Sequence, residues 1–253
     1  MIYLFGLLEA SDDAAASLEG STGVKGPVCV TGCSGLHLIF EPHDSSEVLP
    51  RRRSLLTHAR VLENAMTAGT VLPMCFGMTC ASLCEIQDLV EAGASRIRAQ
   101  FEKVRGRVEM GVRLAAPEAD ALAAALQSAP PLLTERDRLV SRGHEAHFAK
   151  AEFGRHLGDV VATRRQAAQT AVLAQLRSSA VDHVLKAPES DFEVLRAEFL
   201  VDRSKVAAFS DHVERAVQSL DFASPAACTA QIIGPGPAFH FVDLSLVPAE
   251  EPA

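Results

Sequence analysis

The residues of this 253-residue chain best suited to chemistry are its six cysteines and nine histidines. Their spacing argues against an assembled site. Cys29-x3-Cys33 and Cys80-x3-Cys84 invite a zinc reading, because thiolates hold Zn²⁺ well. Closed thiolate sites, however, use C-x2-C or C-x4-C pairs with a second pair elsewhere. Small buried hydrophobes are the favoured reading of all four. His144-x-x-His147 could present two imidazoles on one helix face, yet the second lies three residues on and not four, so the pair is not an H-E-x-x-H arrangement. A nucleophile elbow G-x-S-x-G and a phosphate cradle G-x-x-x-x-G-K-[ST] are both absent. Gly234-Pro235-Gly236-Pro237 is glycine-rich, but its prolines remove the backbone N–H groups that an anion nest needs. No carboxylate stands isolated in an apolar run where desolvation would tune it as a general acid. The residues therefore predict no catalytic group, no cofactor and no metal, and the chain reads as a non-enzyme.

Composition narrows the remaining classes. With 24 basic against 32 acidic residues and a net charge of −8, the chain lacks the basic footprint of a nucleic-acid binder. No segment approaches the roughly 20 apolar residues that span a bilayer. The opening MIYLFGLLEASDD has no basic n-region and reads as a first strand rather than a signal peptide. A cytoplasmic location with reduced cysteines follows as the expectation. The length suits two domains, each with its own core.

The elements read as follows. Ile2 to Leu8 is a strand; Pro27–Thr31 and Leu36–Phe40 form a hairpin around Gly32-Cys33-Ser34-Gly35. An Arg51-Arg52-Arg53 cluster precedes a helix from Ser54. Its apolar stripe, Leu55, Leu56, Ala59, Leu62 and Met66, is predicted to be buried. Gly69 stops that helix, and a strand from Thr70 to Phe76 follows, with Pro73 requiring an edge, a bulge or a strand end. A single helix is expected from Ser82, capped by an S-x-x-E box with Glu85, to Gly106. Arg107–Leu114 alternates strictly and reads as a half-buried strand. An alanine-rich helix follows Pro117 and breaks at Pro130-Pro131. A helical region from Thr134 to about residue 179 is expected to be kinked or split, because it contains Gly143, Gly154 and Gly158. It carries eight basic and five acidic residues, read as a solvated face or as a docking surface for an acidic partner. Strands at 181–186 and 192–201, a helix capped by Asp202, and a strand at Ala226–Ile233 complete the order. From residue 107 onward this is a split βαβ pattern.

The fold expectation is accordingly α+β with two domains. An N-terminal α+β domain spans 1–105. A modified ferredoxin-like domain spans 106–245, with a helical insertion at about 117–179 in its first crossover, and an acidic tail covers 246–253.

Several segments in order, IYLFGLL, LLTHARVLENAMTAGTVLPMCFG, GRVEMGVRL, EFLVDR and GPGPAFHFVDL, together resemble the gas vesicle accessory family GvpF/GvpL. The resemblance covers nearly the whole chain. Two positions depart from the family pattern: Cys75 stands where an arginine is common, and Phe239 where a tyrosine is frequent. The resemblance implies two α+β domains and a non-enzymatic minor component or assembly factor of gas vesicles. Such a protein binds the small hydrophobic shell protein, prevents its aggregation and supports vesicle nucleation. The implied partners are the shell protein and other gas vesicle accessory proteins, with neither nucleic acid nor membrane. Burying the shell protein's apolar face requires an apolar face or sheet edge here. The candidates are Leu72, Pro73, Met74, Cys75 and Phe76 on the edge-like strand, with Phe239 and Phe241 near the end. A ferredoxin-like small-molecule enzyme or sensor, and a thiol-dependent metal or redox protein, remain as alternatives from other classes.

Overall fold

The structure, a computed structural model, describes residues 1–45, 47–141 and 147–244. It is a mixed α+β chain that divides into two compact units, Met1–Glu109 with Pro235 onward, and Met110–Gly234. The closing GPGPAFHF segment, expected with the second half, belongs from Pro235 to the first unit.

The first unit contains β1 (Ile2–Glu9), α1 (Asp12–Ala16), β2 (Cys29–Cys33), β3 (Leu36–Pro42), α2 (Arg52–Ala68), β4 (Thr70–Pro73), β5 (Thr79–Cys80), α3 (Leu83–Ala92) and α4 (Ala94–Val104). Its sheet runs β2-β3-β1-β4, with β5 also paired to β1. β1 is central and is buried from Ile2 to Leu8, so its continuous apolar run IYLFGLL is what a strand covered on both faces requires. A bulge at Phe5, between the pairs Leu4↔Phe40 and Gly6↔Ile39, shifts its alternation. Tyr3, Phe5 and Leu8 pack with Ile39 and with Val61, Leu62 and Ala65 of α2. Gly6 is required by proximity: a Cβ there would lie 2.5 Å from the Leu72 carbonyl oxygen of β4.

Local signals account for most boundaries. The β2–β3 turn is the two-residue Ser34-Gly35, both at positive φ (52° and 79°), the hairpin geometry whose twist matches the strands. β2 therefore extends to Cys33, beyond the expected Thr31. Pro73 is the last residue of edge strand β4, where its missing N–H leaves no ladder bond unmade. The Ser82 hydroxyl accepts the Glu85 N–H at 3.2 Å, and the Glu85 carboxylate accepts the Ala81 N–H at 3.1 Å. The expected single helix after this cap is two, because Gly93 leaves helical geometry and separates α3 from α4.

The stripe expected on α2 is also rotated. The buried residues are His58, Val61, Leu62 and Ala65, while Leu55 and Leu56 are exposed. A histidine, counted as polar in the sequence, occupies a core position and turns the helix by about one residue step.

The second sheet runs β7-β8-β6-β9, formed by β6 (Arg107–Ala115), β7 (Asp182–Leu185), β8 (Glu193–Asp202) and β9 (Thr229–Gly236). β6 crosses the division between the units. It is buried on most of both faces, Glu109 and Gly111 included, rather than half-buried. Among the described residues, four α-helices accompany the sheet: α5 (Glu118–Ser128), α6 (Pro130–Ser141), α7 (His147–Arg177) and α8 (Val206–Gln218). Pro130 and Pro131 begin α6 instead of ending a segment, since the first turn of a helix has no use for the N–H that proline lacks. α7 continues through Gly154 and Gly158 and packs on α5, α6, α8 and β8. That packing outweighs the roughly 1 kcal/mol that each glycine costs a helix. Gly143 lies outside the described residues. Asp202 ends β8 and does not cap α8; a single 3-10 turn, Arg203–Lys205, intervenes, and Asp202 pairs with Lys205 at 2.8 Å. Phe199 and Phe209, with ring centroids 5.2 Å apart, join β8 to α8 in the core of this unit.

Candidate partner-binding site

Within the first unit, α2 carries one polar side chain into the apolar interior. His58 is 3 % exposed, and its Nε2 lies 3.1 Å from the Met74 carbonyl oxygen. A carbonyl can only accept, so Nε2 carries the proton and Nδ1 is the acceptor. The Tyr3 hydroxyl, 2.7 Å away, donates to that Nδ1 and in turn accepts the Gly77 N–H at 3.4 Å. Every member of this relay is thereby satisfied in a place where an unpaired polar group costs about 1–3 kcal/mol. Burial pushes His58 down to about 4, the Met74 carbonyl acting in the other direction. Burial likewise pushes the Tyr3 phenol well above its ordinary value.

The relay fixes the segment from Met74 to Gly77, which connects β4 to β5. Met74 N–H also bonds the Phe5 carbonyl at 2.9 Å. Around the His58 ring stand Phe5, stacked at 5.4 Å, and Phe76, edge-on at 5.7 Å. Phe239 lies at 6.2 Å, tilted by 32°. The structure thus brings together two segments 163 positions apart that the sequence singles out separately, Phe76 and Phe239, both half-buried against the same core.

The seven candidate residues do not form one surface. Cys75 is exposed, and Phe76 and Phe239 are half-buried. Leu72, Pro73 and Met74 are buried, so their side chains serve the interior of their own unit. Phe241 is 4 % exposed and lies beneath Lys103, whose Nζ is 5.7 Å from the ring centroid. It stabilises the end of α4 and offers nothing outward.

Buried carboxylates are the feature that sequence reasoning missed. Glu41, fully buried at the end of β3, accepts the Lys25 N–H at 3.1 Å and the Gly26 N–H at 3.4 Å. It holds the loop before β2 in place. Glu109 accepts the His240 N–H at 2.9 Å and faces His240 Nδ1 at 2.7 Å, which ties down the residue after Phe239. Both acids stand beside apolar neighbours in sequence, LIFEP and RVEMG, and that adjacency was the available signal. Each holds backbone.

The cysteine pairs are spread by the elements that carry them. Cys29 and Cys33 are the two ends of β2, about 13 Å apart at strand rise, too far to share an ion. Cys80 belongs to β5 and Cys84 to α3. The Cys80 thiol donates to Glu85 at 3.2 Å. No cysteine is bridged. His147 begins α7, and His144 lies outside the described residues. Much of the basic charge of α6 and α7 is paired locally: Arg136 with Asp137, Arg155 with Glu152 and Asp159, and Arg164 with Asp221.

The pattern of the family described as gas vesicle synthesis protein GvpL/GvpF matches residues 1–243. The chain belongs to that family. Among GvpL/GvpF relatives, gas vesicle protein F of Microcystis aeruginosa (strain PCC 7806) is 25 % identical over 223 residues, covering 84 % of this chain and 87 % of its own. Gas vesicle protein F of Streptomyces sp. (strain CB03234) is 26 % identical over 250 residues, covering 95 % and 99 %. Two crystal structures share the fold. GvpF from Microcystis aeruginosa superposes with a TM-score of 0.74 at 23 % identity, over 96 % of this chain and 99 % of that one. GvpF from Anabaena sp. PCC7120 superposes with a TM-score of 0.81 at 20 % identity, over 96 % and 98 %. Family membership gives the chain a gas-vesicle-associated role. Among the described residues, no helix is long and apolar enough to cross a membrane.

Proposed function

We propose that the chain works by binding and not by turnover, as a cytoplasmic assembly factor that covers apolar surface of the gas vesicle shell protein before and during assembly. The single observation that carries this reading is the family match over residues 1–243. A subunit that faces gas on one side exposes apolar area in water, and each 1,000 Å² covered is worth about 25 kcal/mol before the costs of association. On this chain the reading is supported by the exposed Cys75 beside half-buried Phe76 and Phe239, next to β4, the last strand of its sheet. We take these as the contact surface, with Leu72, Pro73, Met74 and Phe241 as its internal support. The basic helical region from Arg136 to Arg177 would steer an acidic segment of the partner toward the chain. The order β7-β8-β6-β9, read as 2-3-1-4 within its half, supports a ferredoxin-like second domain with α5, α6 and α7 inserted in its first crossover.

Co-expression with the shell protein tests the function. The shell protein should stay in the supernatant and co-purify with this chain, and Cys75→Asp should reduce the amount recovered. Equal aggregation of the shell protein with and without the chain refutes the proposal.

A further inference from the structure

The Arg51-Arg52-Arg53 cluster has no place in the reading above, and α2 presents it in an unusual setting. Arg51, Arg52, Arg53 and Arg60 are all exposed. Among the described residues none of them has an ion-pair partner. Arginine at the start of a helix has the wrong sign for the helix dipole. Yet α2 has no acidic residue in its first turn, and Arg51, at its N-cap, makes no capping bond. Beside these charges stand three leucines that the core does not use, Leu49, Leu55 and Leu56, at 52 %, 42 % and 55 % exposure. On the helix, Arg52, Leu56 and Arg60 are spaced four apart and form one row, with Arg53 and Leu55 flanking it. Glu63, one turn beyond Arg60, is not paired with it. This row lies away from His58, Val61, Leu62 and Ala65, which face the interior.

We propose that this outer face of α2 is a docking surface for a helical segment of a partner protein that carries acidic residues along an apolar stripe. The exposed leucines demand an apolar counterpart, and the guanidinium groups set among and beside them, unpaired among the described residues, demand carboxylates. From Arg52 to Arg60 the row is about 12 Å long, which matches two to three turns of a partner helix. An anionic bilayer fits less well. The chain as a whole carries −8, so a large flat anionic surface is repelled by the rest of the molecule. A short peptide meets only the local patch, within a screening length of about 8 Å.

The test uses the full chain and two labelled synthetic helical peptides of about 20 residues with the same leucine stripe, one flanked by glutamate and the other by lysine. Fluorescence anisotropy should show the glutamate peptide binding at least tenfold more tightly than the lysine peptide, with the preference shrinking at high salt. The R52E/R53E/R60E variant should invert the preference, and L55S/L56S should weaken binding to both peptides at least fivefold. Far-UV circular dichroism should be unchanged in both variants, because every substituted side chain is exposed. Because the unmodified chain already discriminates the two peptides, the proposal stays testable if a variant misfolds. Equal binding of the two peptides, or binding of neither, overturns it. So does capture by phosphatidylserine vesicles at least as strong as capture by the glutamate peptide and lost in R52E/R53E/R60E.

Discussion

Protonating His58 should unlock the β4–β5 segment, and the size of the effect follows from its surroundings. The folded chain keeps His58 neutral down to about pH 4, with Nδ1 occupied as an acceptor by the Tyr3 hydroxyl. In the unfolded chain the same imidazole takes up a proton near its ordinary value of about 6.5. Between these two values the unfolded state holds more protons, so stability falls as pH falls. At about 1.4 kcal/mol per pH unit, the full window amounts to about 3 kcal/mol, present above pH 6.5 and lost progressively toward pH 4. Other groups titrate in the same range, so the comparison is with His58→Gln, which retains an acceptor for Tyr3 and a donor for Met74 but does not titrate. The chain has one tyrosine and no tryptophan, and Tyr3 emission therefore reports on this site directly. Urea unfolding followed by that emission at pH 7, 5.5 and 4.5 should show the native chain losing up to about 3 kcal/mol more than His58→Gln over the range. Equal losses in the two proteins would refute the neutral relay.

Three further outcomes are expected. Glu41→Ala should free the Lys25 and Gly26 amides at a cost of about 1–3 kcal/mol, and tryptic cleavage at Lys25 should accelerate before the rest of the chain is attacked. Leu62→Ala, in the core, should cost about 2–5 kcal/mol, whereas the exposed L55S/L56S pair should stay within about 0.5 kcal/mol of the native chain by urea unfolding. In a thiol-reagent time course on the folded chain, the exposed Cys75 and Cys84 should react first. Cys33 and Cys80, whose thiols burial pushes up, should react last, with six thiols recovered under denaturing, non-reducing conditions.

Local chemistry made several elements legible without coordinates. The IYLFGLL run read as a strand, the Ser82 and Glu85 pair marked a helix start, and Pro73 had to sit where a ladder bond is not needed. Each of these rests on what a residue and its close neighbours can do, and neighbours in sequence suffice to specify it. The rotation of α2 could not be decided that way. Whether Leu55 or His58 faces inward depends on whether a distant Tyr3 hydroxyl and Met74 carbonyl are there to satisfy the imidazole. That pairing is made across 55 and 16 positions. The continuity of α7 through two glycines was settled by packing as well, because the cost of a glycine is small beside the burial a long helix gains. Glu41 and Glu109 were open for the same reason: a carboxylate in an apolar strand is tolerable only when specific amides come to it, and only the tertiary fold delivers them.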